Sequence, residues 1–255
     1  MKIVLIDADI ELYRIAQQHE IEVDWGDGMI TMSLDIDHAK DVLKAKVEGI
    51  IDMVGADDYL LCISGDNNFR KKHFPTYKAN RVSRKPMGYK DLKQYAIDNF
   101  KNKIVDELEA DDVIGIMCTK KSKDEYIIHS EDKDMKTIPS NLWDKDKKKI
   151  VTISKLEADR NLFRQILTGD VVDGYKGCPK IGKTKADTVL AKCDSFEQLR
   201  HETLQLYIKV FKDEELAKQE MLAQARQARI LRASDYDFKN KQVILWNPWE
   251  VLDNG

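Results

Sequence analysis

Five groups of acidic residues punctuate the first two-thirds of the chain: Asp7, Asp66, the run Glu109, Asp111 and Asp112, the pair Asp132 and Asp134, and the pair Asp170 and Asp173. Carboxylates gathered in one place repel one another. Hard divalent cations relieve that repulsion, and oxygen-only ligation is what magnesium or manganese prefers. The pattern therefore predicts a two-metal enzyme. Taken singly, Asp7 and the acids at 109–112 have an ordinary explanation in helix capping, and Asp132 and Asp134 in a turn.

The elements that must position these groups are legible in the apolar pattern. KIVLI before Asp7, YLLCIS before Asp66 and YIIHS before Asp132 read as strands, which puts the carboxylates at strand carboxyl ends, where an α/β sheet builds its sites. A short helix is expected over 10–17, with Asp9 as a cap or solvent residue. A hairpin follows over IEVDWGDGMITMS, turning at Gly26, Asp27 and Gly28, then a helix over about 36–53 opened by Asp35 or Asp37 and closed near Gly55. Residues 89–100 predict a helix, KIVDE a short edge strand, and the residues after the acidic run a helix with Glu109 and Asp112 on one face. KKIVTIS reads as a strand and 155–167 as a helix. Beyond Gly169 come glycine-punctuated turns and short helices, a charged helix from Asp213 to about Arg232, and a tail with Trp246 and Trp249. The stretch 67–86 has no convincing period and reads as a long mobile connection.

A chain of 255 residues can bury a core of one large domain. Its net charge of −3 announces no polyanionic partner. Locally the balance differs: between Asp66 and Asp91 there is no acidic residue, while Arg70, Lys71, Lys72, Lys78, Arg81, Arg84 and Lys85 are basic. Cys62, Cys118, Cys178 and Cys193 are scattered, arguing against both zinc and a disulfide framework. No segment has transmembrane length and the first strand starts at once, so neither membrane nor signal peptide is expected and a reducing cytoplasm fits.

GDNNFRKKHFPTYKANR, starting at Gly65, resembles the structure-specific 5′ nucleases: flap endonucleases, the 5′-nuclease domain of bacterial DNA polymerase I, and the stand-alone exonucleases of short-tailed bacteriophages. A metal-binding aspartate, an arginine and a YKxNR motif are matched by Asp66, Arg70, Tyr77, Lys78, Asn80 and Arg81. LEADD at 108–112 resembles the family's acidic helix, HSEDKD its strand-end acidic pair, and GDVVDGYKGCPKIGKTKA its last site with the helix-hairpin-helix that follows. Gly174 stands where the family has asparagine and Lys180 where it has a small residue, which bears on the turn but not on Asp170 and Asp173. The resemblance covers residues 1 to about 190 and ends in the tail.

It implies a mostly parallel twisted α/β sheet flanked by helices, a PIN-like 5′-nuclease fold. Residues 1–168 would form the nuclease core with a basic arch at 67–88, and 169–255 a helix-hairpin-helix subdomain and helical tail. It implies phosphodiester hydrolysis with two magnesium or manganese ions, Asp7, Asp66, Glu109, Asp111 and Asp132 serving the first, Asp134, Asp170 and Asp173 the second, and Asp111 or Asp112 shared. Lys78 and Arg81 would grip the scissile phosphate. Arg70, Tyr77 and Asn80 would contact the 5′ strand, and Gly177, Gly182, Lys183, Thr184 and Lys185 the duplex backbone, with a K+ ion expected at the hairpin. The partners implied are DNA with a 5′ end, whether duplex, nick, gap or flap, and RNA–DNA hybrid, in the cytoplasm of a bacterial host, with replication proteins as further candidates.

Three other readings remain open on sequence. GCPKIGKT at 177–184 fits the phosphate-loop pattern, but no apolar strand precedes it. IDADI and GDVVD mimic a phosphatase with an aspartate nucleophile, leaving LEADD and YKANR unexplained. A non-catalytic DNA-binding module would not need nine carboxylates beside a polyanion. Nucleotide dependence would mark the first and a phospho-aspartate the second. His73 and His129 read as surface and strand residues rather than bases.

Overall fold

The computed structural model describes residues 1–250. Its centre is a six-stranded sheet of order β5-β4-β1-β6-β7-β8, formed by β1 (Lys2–Asp7), β4 (Asp58–Ser64), β5 (Asn102–Val105), β6 (Glu125–His129), β7 (Ser140–Asp144) and β8 (Lys149–Ile153). All neighbours are parallel except β8, which runs antiparallel to β7. Alternation along the strands feeds two cores. Val4, Ile6, Leu61, Ile63 and Ile127 point to one face, where α1 (Ala8–Gln18), α2 (Ile36–Val54) and α4 (Tyr89–Asn99) cover them. Leu5, Cys62 and Ile128, one step out of phase, point to the other, under α5 (Ala110–Thr119). Chain order reverses beside β1, so the crevice at its carboxyl end is a topological switch point.

Local signals act as expected at several places. Asp35 caps α2 by accepting the His38 N–H at 3.1 Å, and Gly55 closes it at φ +63°. β2 (Glu20–Asp24) and β3 (Ile30–Leu34) pair as the foreseen hairpin. The stretch 67–86 is not the free connection expected: α3 (Phe69–His73) opens it, and Phe69, Arg70 and Tyr77 are buried. β7 was not foreseen, because SNLWD holds one buried apolar residue, Leu142, in a half-exposed strand.

A third, all-helical core lies past the sheet, built by α6 (Lys155–Thr168), α7 (Lys183–Leu190), α8 (Phe196–Phe211) and α9 (Glu214–Ala228), with Trp246 sealing it. The helix α8 is longer than the short helices expected, since Leu199, Thr203 and Tyr207 recur every fourth residue and are buried. Packing does not divide at residue 168: Ala158 of α6 belongs to the sheet core while Leu162, Phe163 and Ile166 belong to the helical one. After α9 the chain turns back, Ile230 and Leu231 entering the sheet core beside α5, before the short pair β9 (Tyr236–Asp237) and β10 (Gln242–Val243). Among the described residues no helix is long and apolar enough to cross a membrane.

The close approach of this returning segment sets a test. A Cβ at Gly115 of α5 would meet the Leu231 carbonyl oxygen at 2.3 Å. Alanine ordinarily gains about 1 kcal/mol over glycine within a helix, but here backbone must move. Gly115→Ala should therefore lower stability by about 1–3 kcal/mol, the usual cost of overpacking, measured by urea denaturation; unchanged or raised stability would contradict the packing.

Candidate metal and nucleic-acid site

The crevice at the ends of β1 and β6 receives the first carboxylates directly from the sheet. Asp7 ends β1 at the N-cap position of α1, yet its side chain makes no capping hydrogen bond; its Oδ2 takes the Ser130 hydroxyl at 2.8 Å. Burial, reinforced by the charges of Asp9 and Asp132, raises Asp7 to about 7. Ser130 also accepts the Asp132 N–H at 3.1 Å, and Asp132 accepts the Asp134 N–H at 2.8 Å, so one short turn after β6 fixes all three groups. Asp134 is raised to about 7 by burial and Asp132, and accepts from Gln165 of α6 at 2.6 Å. Asp111, in the first turn of α5, is pushed well above the usual carboxylate range by burial, then by Asp7 and Glu109.

A second set of acids is already paired with cations. Glu109 accepts from Lys78 Nζ at 2.6 Å, Tyr77 Oη at 2.9 Å and Arg70 Nη1 at 3.2 Å. Burial works to raise it, but Lys78 and Arg70 hold it at about 2. Asp173 takes Arg81 Nη2 at 2.6 Å and the Tyr77 hydroxyl at 3.3 Å, with Lys78 Nζ at 3.7 Å. Asp170 takes Lys133 Nζ at 3.1 Å and, by folding over its own turn, the Val172 N–H at 2.8 Å.

Lys78 sits in a left-handed turn at φ +53°. Its N–H donates to the Asp173 carbonyl at 2.8 Å, and Asn80 Nδ2 to the Val171 carbonyl at 2.7 Å, so YKAN is fastened to GDVVD by backbone. Gly174 is needed there, because a Cβ would meet the Thr76 carbonyl at 2.6 Å.

Five expectations are revised by this geometry. Arg70 is 2% exposed and cannot contact DNA: it forks onto Asp112 through two 2.7 Å bonds. Asp112, fully buried, spends both oxygens on Arg70 and on the Glu109 and Leu231 N–H groups, leaving no lone pair facing the crevice for a metal. Its relation to Glu109 is a backbone cap rather than a shared face. Tyr77 is 3% exposed and touches carboxylates rather than solvent. Asp66 lies exposed beyond Gly65, with only its backbone carbonyl engaged, by the Glu107 N–H, and is not drawn into the buried group.

Asp9 is the residue that sequence reasoning passed over: its Oδ2 accepts the Ser64 N–H at 3.1 Å while Oδ1 is buried without a partner. The spacing Asp7-x-Asp9 was the available signal. At the hairpin, Gly182, Lys183, Thr184 and Lys185 are exposed at the start of α7. Gly177 is instead a packing glycine, since its Cβ would meet the Gly169 nitrogen at 2.3 Å. No sheet strand leads into 177–184, which removes the phosphate-loop reading. Trp143, Trp246 and Trp249 pack on the cores as anchors, and burial lowers His129 to about 4.

Asp7, Asp9, Asp111, Asp132 and Asp134 suit a hard divalent ion: oxygen donors, partly buried and without a cation of their own. Among the described residues no three acidic, thiol or imidazole groups converge closely enough to hold a metal ion as their side chains stand.

The model of the family "5′-3′ exonuclease, N-terminal resolvase-like domain" matches residues 2–161. The exodeoxyribonuclease of Enterobacteria phage T3 is 29% identical, the match covering 96% of this chain and 93% of that protein. The exonuclease of Escherichia phage T7 is 27% identical over the same shares. The fold is that of the T5 5′-exonuclease with bound zinc ions, TM-score 0.63 at 14% identity, covering 89% of both chains.

The raised carboxyl groups set a sign. Asp7 and Asp134 hold a proton in the folded chain up to about pH 7, whereas unfolded they lose it near 4. Their stabilising contribution is present in acid and lost as pH rises through 7. His129, depressed to about 4, acts oppositely, but only below its unfolded value near 6.5. Between pH 6.5 and 8 the melting temperature of the chelator-treated protein should therefore fall with pH, and Asp7→Asn should flatten the slope. Added Mg2+ should raise it more at pH 8 than at pH 6, because binding must displace those protons. A slope of opposite sign would overturn the assignment.

Proposed function

Because this chain belongs to the 5′-3′ exonuclease family, we propose that its crevice hydrolyses phosphodiester bonds of DNA progressively from 5′ ends at termini, nicks and gaps, and of RNA primers paired to DNA. The observation that carries this reading is the juxtaposition of two kinds of carboxylate. Asp7 is buried and Asp111 and Asp134 half-buried, with like charges for neighbours, and Lys78 and Arg81 stand at their edge on Glu109 and Asp173.

The divalent metal chemistry of the family fits this donor set; two magnesium ions are our assignment, with Asp7, Asp111, Asp132 and Asp134 holding them, Glu109, Asp170 and Asp173 completing the set, and Asp9 added to it. Such ions supply Lewis acidity toward the phosphate and its attacking water. The chain's own groups do the rest. Lys78, held in a fixed left-handed turn and partly buried, presents a preorganised cation to the scissile phosphate, and Arg81 a fork to its neighbour. Lys183 and Lys185, with the free N–H groups that start α7, meet phosphates along the duplex. A K+ ion at that hairpin remains part of the proposal, as do a helix-hairpin-helix subdomain whose core takes in the second half of α6, action in a bacterial host cytoplasm and contact with replication proteins.

The arch is short and tied down. Lys78 and Asn80 are fastened to 171–173, and Arg84 pairs with Glu20 at 2.7 Å. Such a segment cradles a 5′ terminus and gives little room to thread a long strand. On matched substrates under single-turnover conditions a nicked duplex should be degraded faster than a long 5′ flap; much faster flap cleavage would refute the exonuclease reading. Lys78→Ala should lower the single-turnover rate by roughly two orders of magnitude, the scale for one preorganised charge, with duplex affinity nearly unchanged. Collapsed affinity with an intact bound-state rate would make Lys78 a docking residue.

A further inference from the structure

The segment that returns from α9 to the sheet touches the acidic site from behind. Arg70 Nη2 donates to the Arg229 carbonyl, and the Leu231 N–H donates to Asp112 Oδ1 at 3.0 Å. The segment is itself anchored at several points. Arg229 Nε donates to Asp235 at 2.8 Å, and its guanidinium lies 4.5 Å above the Trp246 ring. The Arg232 N–H caps back onto Asp235 at 2.8 Å, while its side chain pairs with Asp159 at 2.7 Å and reaches the Thr137 carbonyl at 2.9 Å. The Ala233 N–H donates to Thr119 Oγ1 at 2.8 Å. Asp235 is fully buried, and Arg229 and Arg232 nearly so.

Arg70 Nε and Arg232 Nε are buried without a hydrogen-bond partner among the described residues, but the paired nitrogens and carboxylates hold one geometry, because displacing a partner leaves a desolvated charge unpaired. Arg70 can keep Nη1 on Glu109 only while its other contacts stay put, and those contacts are Asp112 and the Arg229 carbonyl. The geometry points to Arg229–Asp235 as a positioning strap: through Arg70 and Asp112 it fixes the Glu109 carboxylate and the start of α5, and so the crevice. Arg70 is then a positioning residue rather than a DNA contact. The inference rests on the reading above that Glu109 serves the site.

The test uses the full chain and compares Arg70→Lys, Asp235→Asn, their combination, and Glu109→Gln. Two quantities are read: the single-turnover rate on a nicked duplex in Mg2+, and the Kd for that duplex in chelator across a salt series. Lysine keeps the charge but loses the fork. Arg70→Lys should slow cleavage roughly 10–100-fold, the range for a partner that orients a metal-site group, with Kd and its salt slope unchanged. Asp235→Asn should slow it about tenfold on the same scale, and the double variant should be no slower than Arg70→Lys alone. A weakened Kd with a salt slope reduced by about one would make Arg70 a phosphate contact and overturn the inference. Multiplying effects in the double variant would equally overturn it. Should Asp235→Asn or the combination fail to fold, Thr119→Val, which removes the hydroxyl that accepts the Ala233 N–H and donates to the Gly115 carbonyl, decides beside Thr119→Ser, which keeps that hydroxyl: a slower rate at unchanged Kd in the valine variant alone supports the strap, a wild-type rate in it refutes it. An active Glu109→Gln would sink the site reading itself; an inactive Glu109→Gln beside a wild-type Asp235→Asn would sink only the strap.

Discussion

Repulsion among carboxylates brought to the ends of β1 and β6 is the constraint on which the structure turns. The fold answers it in two ways. On one side it supplies cations: Arg70, Lys78, Arg81 and Lys133 pair with Asp112, Glu109, Asp173 and Asp170. On the other no cation pairs directly with the acids among the described residues, and burial with like charges raises the proton affinity of Asp7, Asp111 and Asp134 despite Lys78 and Lys133 nearby. Like charges in a partly dry pocket cannot all ionise without a counter-charge. The first side is paired without a bound ion; on the second, Asp7 and Asp134 keep their protons up to about pH 7 unless a cation sits among their oxygens.

The sheet makes this division geometrically cheap. Parallel strands with a reversal of order at β1 open a crevice at their carboxyl ends without any special loop. Asp7 and the 130–134 turn come from the two strands flanking that point, and α5 delivers Asp111 from its first turn. Segments remote in sequence then close the remaining sides, YKAN against the backbone carbonyls of GDVVD through the Lys78 N–H and the Asn80 amide, and α6 through Gln165.

Much of this was legible beforehand. Apolar runs of four to six residues located β1, β4 and β6, and Asp35 with Gly55 bounded α2, because those signals are local. β7 escaped, since a half-exposed strand such as SNLWD lacks an apolar run. Carboxylates at strand ends announced themselves by type, but type does not tell a ligand from a buried salt-bridge partner. Asp111 and Asp112 are adjacent and alike; only the helical rotation between them sends one to the crevice and the other to Arg70. Arg70, within a basic run, reads as a polyanion contact until its burial is known. The positions of Asp66 and Asp9 were hidden for a similar reason: the backbone turns at Gly65, carrying Asp66 outward, while Asp9 reaches the Ser64 N–H.

Arg70 and Asp112 also carry a consequence for how the chain is made. Their backbone partners at Arg229 and Leu231 lie 159 and 119 residues downstream. A polypeptide emerges amino terminus first, and N-terminal units organise before later ones exist. Strands, crevice and acids are thus all synthesised while a buried guanidinium still lacks one of its acceptors, and contacts of such long sequence separation are slow to form. A nuclease of this design is joined up only once the segment after α9 has been made, so a nascent chain stopped before residue 229 carries the acids of the site without the Arg229 and Leu231 contacts behind them.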